Sequence, residues 1–440
     1  MSTVGGLAAR QADHALSPAP APAAPRARFG SGRLLRTLWF IAGIAVITGV
    51  FAARRGGLGA GRIWAEDGSV FLSDAASADG AFAHLGLIVE PAAGQMWVIQ
   101  RVIADVVVAL PVTLWPSAMY LVSCAGAAGA LAVLWQQRGR AIFGPLWWRV
   151  VAVLLLALLP GVGEVHGNPA NLHWWLLGAA MVLMTYATPR TTAGRVVELT
   201  FLGVVAVTGM SGLILVPLAV WTGWRRLDRY QITRAGVVLV GAVMALAIAV
   251  GSGRTASQFT YGNLLHVPEV FLARVGGALT AGSDAALQCE ATGSYPWPVL
   301  AGAGLLVALV GMLVVLDRRG PSPWWLLTGV WALALGLLGS AVLVDWQVTY
   351  CSTGNGRHMF TALFTAMLVI IRALGRGSGM ARIVAGIALS MCALSLARVE
   401  TWPSNAEVIT PTDLAAFQEC LDRGASPQQP CVLPVAPAGW

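Results

Sequence analysis

The chain has 440 residues, of which 57% are hydrophobic and only 11% are charged, and its mean hydropathy is +0.71. Soluble domains carry about a quarter charged residues, so this composition excludes a soluble enzyme, a disordered protein and a small disulfide scaffold. All 28 basic residues are arginine, and the formal net charge is +8. In a membrane protein such an excess is typical of an orientation signal, so no nucleic-acid partner is expected.

Apolar runs predict an all-α polytopic membrane protein with about eleven transmembrane helices, since one span needs about 20 apolar residues. The first run, 34–51, is expected to be an uncleaved signal anchor that follows a disordered cytoplasmic tail, 1–33. The other predicted spans lie at 116–136, 146–160, 172–187, 196–209, 211–224, 235–251, 298–316, 324–344, 359–373 and 382–398. The bundle then covers 34–398, and residues 399–440 form an extracytoplasmic C-terminal tail.

The run 95–110 is apolar but is interrupted by Gln100, Arg101 and Asp105. Three polar side chains make a lipid-exposed span costly, so we expect an amphipathic helix at the membrane interface or packed against other spans. A true span here would reverse the orientation of everything downstream. With this helix excluded, the functional outer loops are 52–115, 161–173, 251–298 and 345–358.

The charge distribution supports this topology, with the N-terminus in the cytoplasm and the protein in the plasma membrane. The predicted cytoplasmic side holds 19 of the 28 arginines, as the positive-inside rule requires: Arg10, Arg26, Arg28, Arg33, Arg36, Arg138, Arg140, Arg149, Arg190, Arg195, Arg225, Arg226, Arg229, Arg234, Arg318, Arg319, Arg372, Arg376 and Arg382. Only Asp13, Glu198, Asp228 and Asp317 accompany them. The remaining acids lie outside, and because that rule does not explain them, we expect the chemistry there.

The cysteines agree with this orientation. Two fall within spans, and four fall outside, namely Cys289, Cys351, Cys420 and Cys431. An even number suits an oxidising compartment. We predict a disulfide between Cys420 and Cys431 in the tail and a second between Cys289 and Cys351, with four free thiols as the alternative.

The first outer loop opens with Trp64-Ala65-Glu66-Asp67-Gly68. One ionised carboxylate raises the pKa of its neighbour, which suits a general base. Two carboxylates also supply hard oxygen ligands for a divalent cation, Mg²⁺ or Mn²⁺, facing a phosphate. The alternative is a solvated loop whose acids cap a helix that begins near Ser69.

The second outer loop combines imidazole, amide and indole side chains: His166, Asn168, Asn171, His173, Trp174 and Trp175. Pro169 lies between the two histidines, so helical spacing cannot be assumed, and nothing nearby completes a zinc site. The Asn-Pro-Ala-Asn stretch predicts a turn that leads into a helix whose N-terminus can receive an anion. We expect a sugar or phosphate pocket, with an interfacial tryptophan belt beside a polar turn as the alternative.

The fourth outer loop places Arg357 and His358 at the mouth of a span. An outward arginine opposes the charge bias, which favours pairing with an anionic ligand. A salt bridge to Asp345 or Glu290 is the alternative.

An anchor span, a long outer loop with a carboxylate pair and an amphipathic helix, and a many-span bundle together resemble the GT-C superfamily. These are integral-membrane glycosyltransferases that use polyprenyl-phosphate-linked sugars. Residues 64–68 are similar to the acidic motif that such enzymes carry in their first outer loop. The resemblance implies a polyprenyl-phosphate sugar donor and, at this location, a cell-envelope glycan or glycolipid as acceptor.

The resemblance also implies roles for individual residues. Asp67 would be the general base on the acceptor hydroxyl, or the ligand of a divalent cation at the donor phosphate, and Glu66 would support it. The groups that neutralise the departing phosphate would be Arg357, His358, His166, Arg101 and Arg62. The sugar or the acceptor would contact Asn168, Asn171, His173 and Trp64.

Two other functions fit the same sequence. The protein could transport or flip a lipid-linked envelope precursor, with the acids binding substrate or protons, or it could be a non-catalytic scaffold. The acids lie in outer loops rather than mid-membrane, where a proton-coupled transporter would need them. This placement favours the enzyme.

Overall fold

The computed structural model describes residues 31–54, 62–63, 67–92, 94–160, 165–225, 228–252, 261–282, 284–339, 350–351, 356–397, 407–408, 410–423, 431 and 433. Contacts divide the chain into two units, 1–42 and 43–440. In the first unit the described residues begin helix α1, Ser31–Arg54, and Trp39 and Ile41 there are exposed, as lipid-facing side chains would be. The second unit contains the helix bundle and the candidate site.

The described part of the second unit is almost entirely helical. After α1 come α2 Ser73–Ser77, α3 Ala81–Val89, α4 Val98–Val107, α5 Trp115–Leu131, α6 Arg140–Phe143, α7 Leu146–Ala157, α8 Leu172–Thr185, α9 Thr192–Val207, α10 Ser211–Arg225, α11 Arg229–Gly251, α12 Val267–Val270, α13 Gly277–Ala281, α14 Asp284–Thr292, α15 Trp297–Leu316, α16 Ser322–Gly339, α17 Gly356–Arg376, α18 Gly379–Ala397 and α19 Pro411–Asp422. The π-helical segments Asp67–Leu72 and Phe271–Gly276 lead into α2 and α13. Strands β1 Arg62–Ile63 and β2 Glu407–Val408 pair antiparallel.

A helix lies at each of the predicted apolar runs. Among the described residues seven helical stretches are long and apolar enough to cross a membrane: Thr37–Arg54, Val112–Trp135, Arg229–Gly251, Asn263–Ala281, Trp297–Leu316, Gly356–Arg376 and Gly379–Ala397. The helices Gln137–Phe143 and Leu146–Ala157 pass the same test as a pair bent by 80°. These helices support a multi-pass α-helical membrane protein, while the total of about eleven crossings stays a prediction.

One helical stretch differs from expectation, because Asn263–Ala281 lies inside the predicted outer loop 251–298. It packs against the bundle through small groups, since a Cβ on Gly276 would come within 2.8 Å of Ala303 Cβ. Ser395 on α18 donates to the carbonyl of Leu279 at 2.5 Å. The sequence did not predict a helix long enough to cross the membrane here, because Glu269 and Arg274 interrupt the apolar run.

Helix α4 accounts for the ambiguous run 95–110. It has 10 residues, or about 15 Å at 1.5 Å per residue, which is about half of the hydrocarbon thickness. Gln100 and Arg101 are buried, whereas Val102 and Val106 are 42% and 63% exposed. The helix is therefore too short to span, and it turns the face with Gln100 and Arg101 inwards and the face with Val102 and Val106 outwards.

Helices α8 and α17 form the centre of the bundle. All side chains of α8 are buried, which is expected of a helix that is apolar all round. Gly178 on α8 allows close approach to α17, because a Cβ there would lie 2.8 Å from Phe364 Cζ. Burial on all sides explains why α8 can be shorter than a lipid-facing span.

Small residues join α9, α10 and α11. A Cβ on Gly212 of α10 would clash with the Ala206 carbonyl and would lie 2.7 Å from the backbone nitrogen of Ala242. Gly241 on α11 likewise lies against Ala206. Such close backbone approach is how membrane helices pack without a hydrophobic driving force between them.

Arginines at the predicted cytoplasmic side are partly buried rather than confined to loops. Glu198 is 4% exposed and pairs with both Arg138 and Arg234, the latter fully buried. Tyr230 donates to the same carboxylate at 3.1 Å. Arg149 donates to the carbonyls of Leu134, Trp135 and Gln136, which are orphan acceptors where a helix ends.

Two disulfides join segments of the predicted outer side, and they are the two pairs expected from the sequence. Cys289 of α14 is bonded to Cys351, which precedes α17, and Cys420 of α19 is bonded to Cys431. Cys124 and Cys392 are buried within α5 and α18, and neither forms a disulfide with a described residue.

Candidate functional site

The site forms where the first and second predicted outer loops meet. The Asp67 carboxylate accepts a hydrogen bond from the backbone N–H of Ala170 at 2.8 Å. The two residues are 103 positions apart in the chain, and Asp67 is only 1% exposed. Asp67 is therefore docked against the His/Asn turn, and its carboxylate is not solvated as the alternative interpretation required.

Local structure explains how Asp67 is held. It begins the π-helical segment Asp67–Leu72, where a negative charge is favoured by the exposed N–H groups of a helix start. Ser73 donates to the carbonyl of Gly68 at 2.7 Å and so closes this segment. Glu66, Trp64 and the side chain of Arg62 lie outside the described residues, so their predicted roles stay predictions.

The turn 165–171 has the form that its sequence predicts. Gly167 has φ +72°, and a Cβ there would clash with the Tyr120 ring, so glycine is required. Asn168 Oδ1 accepts from the N–H of Asn171 at 2.8 Å. Both asparagines are buried, so they build the turn that leads into α8.

His173 is oriented by the same turn. Its Nδ1 lies 2.9 Å from the carbonyl oxygen of Ala170, and since a carbonyl only accepts, Nδ1 carries the hydrogen. The neutral ring therefore presents Nε2 as an acceptor. Gln100 Nε2 donates to the same carbonyl at 3.3 Å.

Five aromatic or imidazole rings form a continuous row, here called the ring row: Phe71, Trp97, His173, Trp174 and His358. Successive ring centroids are 5.7, 5.5, 4.8 and 6.1 Å apart. The row connects the Asp67 segment to the first turn of α17, where Arg357 also lies half-buried. Among the described residues no hydrogen-bond partner reaches the buried Trp174 Nε1 or His358 Nε2.

The tryptophan-belt alternative does not hold for the second loop. Trp174 is 9% exposed and Trp175 is fully buried, so neither indole faces the membrane interface. Trp175 Nε1 donates to the Val165 carbonyl at 3.1 Å.

His166 is buried between two helices. It is 1% exposed, and its ring is 5.2 Å from Phe51 of α1 and 5.4 Å from Trp175 of α8. His166 therefore packs between α1 and α8, and its predicted role at the donor phosphate stays a prediction.

Arg101 is held at the edge of the site by an ion pair. The side chain is 3% exposed, and Nη1 lies 3.0 Å from Asp74 Oδ2, a partly exposed carboxylate. The guanidinium is 6.0 Å from the centre of the Phe71 ring. Burial raises the pKa of Asp74, although Arg101 acts to lower it.

Two members of the site, Trp97 and Gln100, were not predicted from the sequence. Gln100 is fully buried, and its Oε1 has no hydrogen-bond partner among the described residues. The sequence does contain a signal for these two residues. Trp97 and Gln100 lie on the same helical face as Arg101 and Ala104, at the start of and within α4. That face contains polar residues and turns inwards.

Comparison with known proteins adds no relative. No protein-family model, no curated protein and no solved structure matches the chain. The resemblance to the GT-C superfamily therefore stays a prediction that depends on the residues themselves.

The described residues do not by themselves test the predicted binding of a divalent cation. Among the described residues no group of three His, Cys, Asp or Glu side chains could hold a metal ion. Asp67 is described, but its neighbour Glu66 is not, so the predicted Mg²⁺ or Mn²⁺ ligation at Asp67 stays a prediction.

Proposed function

We propose that this protein is a membrane glycosyltransferase that moves a sugar from a polyprenyl-phosphate donor to a cell-envelope glycan or glycolipid on the extracytoplasmic face. The observation that supports this most is the docking of buried Asp67 on the Ala170 amide, beside the ring row. A carboxylate, imidazoles and indoles are thus gathered at one end of the bundle from distant parts of the chain.

The proposed reaction needs a base at one end of the site and positive charge at the other. The acceptor hydroxyl oxygen bonds to the anomeric carbon while the bond from that carbon to the phosphate oxygen breaks. The hydroxyl proton passes to Asp67, and the bonding electrons leave with the phosphate. Arg357 and His358, at the start of α17, stabilise that developing charge.

The ring row suits the sugar itself. Indole and phenyl faces pack on the apolar C–H faces of a sugar, and the edges of Trp and His form hydrogen bonds with hydroxyls. Trp174 Nε1 is a donor without a partner among the described residues. A buried polar atom of this kind is costly unless a ligand or water satisfies it.

The decisive variant is Asp67→Asn, because Asn keeps Oδ1 as the acceptor for the Ala170 amide and removes only the charge. Membranes with equal amounts of wild type or variant receive a panel of labelled polyprenyl-phosphate sugars, and transfer is measured. We expect the variant to lose between about 10²-fold and 10⁴-fold in rate, the usual contribution of a general base. Asp79→Asn, an exposed acid in the same outer loop, is the matched control and should keep wild-type rates.

Equal transfer by wild type and Asp67→Asn would remove Asp67 from the mechanism. No transfer from any donor, with intact protein, would favour the transporter or scaffold over the enzyme. Chelation by EDTA separates the two roles of Asp67: transfer that stops and returns with Mn²⁺ indicates a cation ligand, and unchanged transfer indicates the base.

A further inference from the structure

The C-terminal tail returns to the segment that carries Asp67. We call its described residues, 407–408, 410–423, 431 and 433, the C-terminal strap. On the N-terminal side of Asp67, β2 of the strap pairs with β1, with Ile63 opposite Glu407. Ile63 is 2% exposed, so this pairing lies against the bundle.

The strap also reaches the C-terminal side of Asp67. The backbone N–H of Leu433 donates to Ser73 Oγ at 3.4 Å, and Ser73 Oγ in turn donates to the Gly68 carbonyl at 2.7 Å. Leu433 is fully buried and Ser73 is 4% exposed. A chain of two hydrogen bonds therefore runs from the strap to the residue that follows Asp67.

Helix α19 fixes the strap in place. Leu414 and Phe417 are buried, and the Phe417 ring meets Trp115 of α5 edge-on at 5.6 Å. The disulfide joins Cys420 of this helix to Cys431, two residues before Leu433. Such a cross-link restricts where Leu433 can lie relative to α19.

We propose that the C-terminal strap, closed by Cys420–Cys431, positions Asp67, with Ser73 as the positioning residue between them. The proposal rests on the proposed function of Asp67. The strap contacts residues on both sides of Asp67. Breaking the disulfide should therefore release the segment that carries Asp67 while every helix of the bundle stays in place. Catalysis is sensitive to displacements of about 1 Å at a reacting group.

The first experiment does not depend on activity. Hydrogen–deuterium exchange is compared between the wild type and the double variant Cys420→Ser/Cys431→Ser, with Cys392→Ser as the control for the substitution type. The double variant is preferable to a reducing agent, which would also open Cys289–Cys351. We expect residues 67–77 to exchange at least about tenfold faster, while 359–371 in α17 stays unchanged. Unchanged exchange at 67–77 would overturn the proposal.

The second experiment measures kcat and KM for the sugar donor in Ser73→Ala and Phe417→Ala. Gln418→Ala, at an exposed position of α19, is the matched control. We expect kcat to fall about tenfold or more at nearly constant KM, because a misplaced base weakens the transition state rather than donor binding. Ser73→Ala with wild-type kcat, in a protein whose Asp67→Asn variant is inactive, would overturn the proposal. If the wild type transfers no sugar, the proposed function fails and the exchange experiment still decides the positioning.

Discussion

At the edge of the site, the buried guanidinium of Arg101 is balanced by the Asp74 carboxylate, which is 40% exposed. Burial raises the pKa of Asp74 and outweighs the opposing effect of Arg101. Ionising this carboxyl therefore costs folding free energy, as for many ion pairs that are withdrawn from water. A carboxyl with a raised pKa next to the Asp67 segment is a candidate for a functional role.

The pKa of Asp74 leads to a prediction about pH. Because the folded-state pKa lies above its ordinary 3.8, the stabilising contribution is present at low pH and is lost as pH rises through the folded pKa. Asp74→Asn removes this dependence. We expect the melting temperature of the variant, relative to the wild type, to increase as the pH rises above the ordinary pKa of 3.8.

This comparison uses thermal unfolding of the detergent-solubilised protein, followed by the intrinsic fluorescence of its 18 tryptophans. Asp79→Asn, at an exposed acid, should run parallel to the wild type. A pH-independent difference between Asp74→Asn and the wild type would contradict the prediction.

At the scale of elements, buried charges join helices at the predicted cytoplasmic side, and small residues join the faces of neighbouring helices. Glu198 on α9 binds Arg234 on α11 and Arg138 in the segment before α6. Removing one partner of such a network leaves an uncompensated charge. The close contacts of α9, α10 and α11 leave no room for a side chain at Gly212.

Glu198→Gln should be strongly destabilising. The substitution removes a carboxylate that is only 4% exposed and leaves the charges of Arg138 and Arg234 without it. Breaking a buried ion pair in this way costs about 3–5 kcal/mol. The measurement is thermal stability in detergent, with Glu419→Gln, an exposed glutamate on α19, as the control. Equal melting temperatures for the two variants would argue against a structural role for the Glu198 network.

Gly212→Ala should lower the melting temperature, because the new Cβ would lie 2.7 Å from a backbone nitrogen that cannot move independently. Gly236→Ala on the neighbouring helix meets nothing within 4 Å, and it should stabilise by up to about 1 kcal/mol through helix propensity. Thermal unfolding at neutral pH measures both, followed by a thiol-reactive dye that reports exposure of the buried Cys124 and Cys392. A stable Gly212→Ala variant would contradict the close packing of α10 on α11.

At the scale of the whole molecule, the pairing of β2 with β1 places the strap beside the first predicted outer loop. In the topology predicted from the sequence, the N-terminus is cytoplasmic and the C-terminal tail is extracytoplasmic. The number of crossings is then odd.

Reporter fusions test this prediction. Green fluorescent protein folds only on the cytoplasmic side, and alkaline phosphatase is active only on the opposite side. A green fluorescent protein fusion should therefore fluoresce at the N-terminus and be dark at the C-terminus. An alkaline phosphatase fusion should be active at the C-terminus. A fusion after Arg319, in a predicted cytoplasmic loop, calibrates the fluorescent state. Fluorescence at the C-terminus would contradict the predicted orientation.

Much of the fold could be predicted because a membrane span is a local property. A run of apolar residues must satisfy its own backbone hydrogen bonds in lipid and so becomes a helix, and a helix does lie at each predicted run. The run 95–110 was ambiguous because Gln100 and Arg101 interrupt it, and only packing showed that those residues face inwards. The stretch Asn263–Ala281 was missed for the same reason.

The sequence by itself determined the class of the protein, the apolar helices and the polar segments in which to look for a site, because composition and periodicity are readable residue by residue. Tertiary structure decided which of those segments meet. The contact of Asp67 with Ala170, the ring row from Phe71 to His358, and the return of Leu433 to Ser73 each join residues far apart in the chain. Such contacts depend on how helices pack, and packing depends on the shapes of many side chains at once.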